Sequence, residues 1–116
     1  MSWDDVGDWL ARLERDGDAL LRVTLEQVAD APPDEELEHA ACEHAIAAAE
    51  IVASCAGVPP DDVPGPVRRY AERCGVPSSE RIAAAFRAVE RIGLERDEHD
   101  AALVDLGERL GSLLSA

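Results

Sequence analysis

The chain contains no lysine and no asparagine, and Gln27 is its single glutamine. Every one of its 11 cations is therefore an arginine, set against 25 acidic residues for a net charge of −14. That balance argues against unaided binding to DNA, RNA or an anionic lipid surface, where phosphates would meet like charge. Aromatic residues are almost absent: Trp3, Trp9, Tyr70 and Phe86 are the whole set. A core built from this chain must be aliphatic and alanine-lined. No apolar run exceeds the five residues of Ala45 to Ala49, far too short to span a bilayer. With only Cys42, Cys55 and Cys74, any single pairing leaves one thiol over, and no C-x-x-C spacing occurs. Buried, reduced thiols are the expectation. No positively charged leader precedes the first helix, since Asp4 and Asp5 follow Met1 almost at once, so a cytoplasmic location is expected.

What is present suffices for one folded domain and not for two. The chain has 116 residues, of which 47% are hydrophobic and 31% charged, a balance that buries a core and excludes a disordered tail. Arginine without lysine, together with abundant alanine, fits a G+C-rich bacterial genome. Charge is unevenly placed. Residues 1–66 hold 16 acidic and 3 basic side chains, whereas residues 67–93 hold 3 acidic and 6 basic ones. An acidic first half beside arginine-bearing helices is either internal complementarity or one strongly negative face offered to a partner.

Helical periodicity dominates. Ser2-Trp3-Asp4-Asp5 has the spacing of a capping box, followed by Val6, Trp9, Leu10 and Leu13 on one stripe and a stop at Gly17. Asp18 is placed to cap a second helix with Leu21, Leu25 and Val28 inward, ended by Pro32 and Pro33. The longest helix is expected from Asp34 as N-cap. Glu35, Glu36 and Glu38 then fall in its first turn, a stripe runs through Leu37, Ala41, His44, Ala48, Ile51 and Cys55, and Gly57 closes it.

Residues 58–66, with four prolines, read as a loop. A short helix through Val67, Tyr70 and Cys74 follows. The next is capped by Ser78 or Ser79, with Ile82, Ala85, Phe86, Val89 and Ile92 inward and Gly93 beyond it. The last carries Leu103, Leu106, Leu110 and Leu113, and Gly107 and Gly111, four apart, imply close approach of another helix. No stretch alternates long enough for a strand. An all-α single domain is expected, a compact bundle of five or six helices.

Few constellations carry chemistry. Glu36-x-x-His39 has the spacing of a bundle metal ligand pair, with Cys42 and Glu43 close by, but a di-iron bundle needs a second copy and none occurs. Glu36, His39, Cys42 and Glu43 are weak metal candidates, and no cofactor is implied. His44 on an apolar stripe reads as a core histidine. No G-x-S-x-G elbow and no phosphate-cradling glycine loop is present, so an enzyme is not expected. Charge remains. Asp4, Asp5, Asp8, Asp30, Asp34, Glu35, Glu36 and Glu38 form the candidate partner-binding set, suited to a more basic protein such as a toxin. A non-catalytic interaction protein, most concretely an immunity protein or inhibitor, is the leading expectation. The alternatives are a metal-binding protein and a self-associating module in which partly exposed Trp3 and Trp9 bury each other's surface.

Three stretches carry a family likeness: Trp3-Asp4-Asp5 with Asp8-Trp9-Leu10 and Leu13; Ala45 to Ala53 ending in Gly57; and Ala83 to Ile92 with the final leucine-bearing helix. Together they resemble a bacterial family known as domain of unknown function 4259. The resemblance implies a small helical protein and supplies neither an activity nor catalytic residues. It singles out Glu50, a charge within an alanine-rich helix, as an ion-pair partner for the arginine-bearing helices of residues 67–93.

Overall fold

The buried stretch Ala45 to Ala53 organises the molecule. A computed structural model describes residues 2–60, 62–95 and 101–115; Met1, Asp61 of the proline-rich loop, residues 96–100 and Ala116 lie outside the described residues. A 3₁₀ turn (Trp3–Val6) leads into α1 (Gly7–Asp16) and α2 (Asp18–Ala29). These are followed by α3 (His39–Cys55), α4 (Gly65–Cys74), α5 (Ser79–Glu95) and α6 (Ala101–Ser115). Among the described residues there is no strand, and the protein is a single all-α domain whose radius of gyration is 12.9 Å.

Every residue from Ala45 to Ala53 is buried, because α2, α4, α5, α6 and the 3₁₀ turn all pack on α3. A helix enclosed on all sides needs no polar face, and its five small side chains let neighbours approach closely. The single inward stripe expected from the periodicity is thus too narrow. Leu37, Ala41, His44 and Cys55 are only half-buried, and residues placed off the stripe are sealed in.

Several boundaries differ from expectation for identifiable reasons. Ser2 gives no side-chain cap; its carbonyl accepts from the Asp5 N–H at 3.0 Å and closes the 3₁₀ turn. Gly17 ends α1 as expected, at φ 59°, where a side chain would be strained, with its N–H on Leu13 O at 2.8 Å. Asp18 caps nothing, because its carboxylate is held by Arg81 of α5. Ser78 caps α5 by accepting the Arg81 N–H at 3.1 Å. Helix α5 runs through Gly93 to Glu95 rather than stopping at Gly93.

The largest difference is at α3. Asp34, Glu35, Glu36 and Glu38 do not form its first turn: residues 31–38 are an irregular segment, and the helix begins at His39 after Glu38 in extended conformation. The Glu35 N–H closes a turn onto Pro32 O at 3.0 Å. Arg91 of α5, buried to 8% exposure, then donates to Pro32 O at 3.0 Å and to Glu35 O at 2.6 Å. Glu35 O thus serves a guanidinium from another helix instead of a first helical turn.

The glycine pair of α6 meets α5 as its spacing implies. A Cβ on Gly107 would lie 3.6 Å from Val89 Cγ1, and one on Gly111 would lie 3.4 Å from Phe86 Cε2. The first distance is ordinary van der Waals contact, so Gly107→Ala is expected to raise stability by about 0.5–1 kcal/mol through helix propensity. Urea unfolding measures this, and a lower midpoint in the variant would mean that α5 and α6 sit too close for a methyl group.

Candidate functional site

The candidate acidic residues fall into three groups. Asp4 and Asp5 lie in the 3₁₀ turn and Asp8 at the start of α1; all three are exposed and have no ion-pair partner among the described residues. Asp30, at the end of α2, is 3.5 Å from Arg87 of α5 and so belongs to an internal pair. Asp34, Glu35, Glu36 and Glu38 are brought together in the segment between α2 and α3. Their side chains are exposed and make no ion pair among the described residues. Underneath them, Arg91 fastens the backbone at two carbonyls while Leu37 packs against the core. Four carboxylates thus stand on a short loop whose main chain is held in place.

The arginines of residues 67–93 are largely an internal counter-surface. Arg69 of α4 bonds Glu14 of α1 at 2.9 Å. Arg81 grips both oxygens of Asp18, and Arg87 reaches Asp30. Each pair joins the second half of the chain to α1 or α2. Surface pairs of this kind are each worth about 0–1 kcal/mol, but they remove Glu14, Asp18 and Asp30 from the negative surface offered outward.

The weak metal candidates are not gathered. Glu36 lies outside the helix, so Glu36-x-x-His39 is not one helical turn, and its exposed carboxylate is in the loop. His39 is exposed at the first residue of α3 with Nε2 3.8 Å from Glu43 Oε1, while Cys42 and Glu43 turn into the protein. Among the described residues no three such side chains converge as a metal site would require. His44 is half-buried and stacks on Trp9, ring centroids 6.0 Å apart. Trp9 is only 3% exposed and donates to Thr24 Oγ1 at 3.1 Å. The expected exchange of Trp3 and Trp9 surface between copies is therefore corrected: Trp9 is a core residue.

Glu50 is the charge that the core cannot leave alone. It is 7% exposed in the middle of α3. Its partner is Arg109 of α6, not an arginine of residues 67–93. Arg109 Nη2 lies 2.9 Å from Oε1 and Nη1 lies 3.1 Å from Oε2, a bidentate pair. Arg109 also donates from Nη1 to Val58 O at 2.9 Å and from Nε to Asp105 Oδ2 at 2.8 Å. Burial raises the Glu50 carboxyl above its ordinary value, against the opposing pull of the Arg109 guanidinium. For Arg109, burial disfavours the charge, but its bonds to Glu50 and Asp105 outweigh that and raise its pKa.

Arg91 and Arg109 escaped the periodicity. Both sit beside an inward residue, Ile92 or Leu110, at the flank of an apolar stripe, and that adjacency is the signal that could have found them.

A family model described as a domain of unknown function (DUF4259) matches residues 3–104. The chain belongs to this family. No curated protein and no solved structure matches it. The DUF4259 match takes in Glu50 and the Arg91-clamped loop and ends before Arg109, so one half of the buried ion pair lies within the matched span and the other beyond it.

Glu50 gives this DUF4259 chain a signed pH dependence. Its folded pKa is raised, so between the ordinary carboxylate value and that raised value the folded state holds more protons than the unfolded state. Stability from this group then falls as pH rises through the window. The stability of wild type relative to Glu50→Gln should accordingly decline as pH rises above the ordinary carboxylate range in urea unfolding. A relative stability that grows with pH would mean that Arg109 outweighs burial.

Proposed function

We propose that the protein is a non-catalytic interaction module that binds a more basic bacterial protein through the acidic loop between α2 and α3. Its most concrete form is a cytoplasmic immunity protein or inhibitor of a toxin or effector. One observation carries this reading: Asp34, Glu35, Glu36 and Glu38 present unspent carboxylates on a backbone that Arg91 fastens at Pro32 O and Glu35 O. A loop ordered before binding loses less conformational entropy on association. Carboxylates not used internally raise the encounter rate with a basic surface and orient it. Asp4, Asp5 and Asp8 extend the negative field without such a clamp.

Toxins that attack nucleic acids or nucleotides carry basic substrate-binding surfaces, and an acidic loop blocks such a surface by occupying the place of phosphates. The proposed partner is therefore basic, and nucleic acid itself is not. No helix among the described residues is long and apolar enough to cross a membrane, consistent with a partner met in solution.

Affinity capture from the native host with tagged wild type and with the triple variant Asp34→Arg/Glu35→Arg/Glu36→Arg tests the reading. Wild type should retain a basic protein at low salt and release it as screening increases. The triple variant should bind it at least about tenfold more weakly, because three like charges now face the partner. Equal retention by both proteins, or retention of no basic protein, would contradict the proposal.

A further inference from the structure

The cavity of about 430 Å³ beside the C-terminal ends of α3 and α4 has no part in the acidic-loop reading. Cys55, the last residue of α3, and Cys74, the last residue of α4, both line it, with Tyr70, Arg73, Asp18 and Arg81 around them. Both thiols border this one cavity, and Cys74 is near enough to Cys55 to help hold its proton in place, while the Cys74 Sγ lies 3.3 Å from Gly75 O. They differ in access: Cys74 is exposed and Cys55 half-buried, while Cys42 is buried elsewhere in α3. Immediately after Cys74 the chain turns through Gly75 at φ 71°, and Val76 beyond it is 85% exposed. Reagents in solvent therefore reach Cys74 first.

We propose that Cys55 and Cys74 are a dithiol modification site, which a low-molecular-weight disulfide converts to an intramolecular disulfide joining the ends of α3 and α4 across the cavity. The Cys74 sulfur attacks one sulfur of the small disulfide. That S–S bond breaks, and the first small thiolate leaves and takes up the Cys74 proton. The Cys55 sulfur then attacks Cys74 in the mixed disulfide, and the second small thiolate leaves with the Cys55 proton. Two protein thiols are oxidised and one small disulfide is reduced to two thiols.

Geometry favours the second step. Both residues end neighbouring helices on one cavity, so Cys55 stands beside the mixed disulfide when it forms and can reach the bonded distance of about 2.05 Å. Burial, with Cys74 beside it, holds the proton on Cys55, which fits Cys74 as the attacking thiol and Cys55 as the resolving one.

The test treats the full chain with glutathione buffers of increasing disulfide content and reads intact mass, peptide links and free thiols. Wild type should lose two hydrogen masses, link Cys55 to Cys74 and keep one free thiol, that of Cys42. Cys55→Ser and Cys55→Ala should both stop at a glutathione adduct on Cys74, and Cys74→Ser should form no internal disulfide. The oxidised wild type should melt roughly 5–15 °C above the reduced form, as expected for a closed loop of this size. A lasting glutathione adduct on wild-type Cys74, a link through Cys42, or two unreacted thiols at the oxidising limit would each overturn the proposal.

Discussion

A carboxylate in the middle of an enclosed helix must be answered from outside that helix, and the fold depends on how Glu50 is answered. Its neighbours in α3 are mostly alanines and branched aliphatics, and Ser54 one turn on donates to the Glu50 backbone carbonyl rather than to its carboxylate. Only when α6 docks does Arg109 arrive, aligned by Asp105 on its own helix and bonded to Val58 O where the chain leaves α3. One guanidinium thus joins the centre of the bundle, its last helix and the start of the proline-rich loop. A buried ion pair and a well-packed apolar pair are of similar worth, whereas a buried charge without its partner costs about 3–5 kcal/mol. The pair therefore acts mainly on register, penalising any arrangement in which α6 is displaced along α3.

The same logic runs outward at lower stakes. Arg69, Arg81 and Arg87 settle on Glu14, Asp18 and Asp30, and Arg91 on two loop carbonyls. Four of the six arginines in the basic stretch hold the acidic half of the chain. The negative surface that remains is narrower than the charge count implies, and the part of it that Arg91 fastens is the loop from Asp34 to Glu38. Internal use of Arg91 connects fold to function: the side chain that fills a space in the bundle also fixes the segment proposed to meet a partner.

Local signals were legible where local physics decides. Gly17, a cap at Ser78 or Ser79, the leucines of α6, the Gly107–Gly111 pair and the all-α class were legible from spacing, and the family from the likeness of three stretches. Long-range contacts were not legible. Asp34 to Glu38 has every feature of a helical first turn, yet Arg91, distant in sequence, takes Glu35 O, which such a turn would need, together with Pro32 O before it. Asp18 reads as a cap until Arg81 takes its carboxylate. The stripe drawn along α3 was too narrow because alanine tolerates burial on any side, so periodicity cannot tell a one-faced helix from an enclosed one. Glu50 was singled out by resemblance, but its partner came from a helix whose other residues read simply as core.

A thermodynamic cycle on Glu50→Met, Arg109→Met and the double variant, followed by urea unfolding near neutral pH, tests the central claim most directly. Arg109→Met should cost about 3–5 kcal/mol by stranding the buried Glu50, Glu50→Met should cost less because Arg109 keeps Asp105 and Val58 O, and the double variant should cost less than the sum of the two. Single costs that simply add in the double variant would show that the two side chains act independently, and that α6 is positioned by something other than this pair.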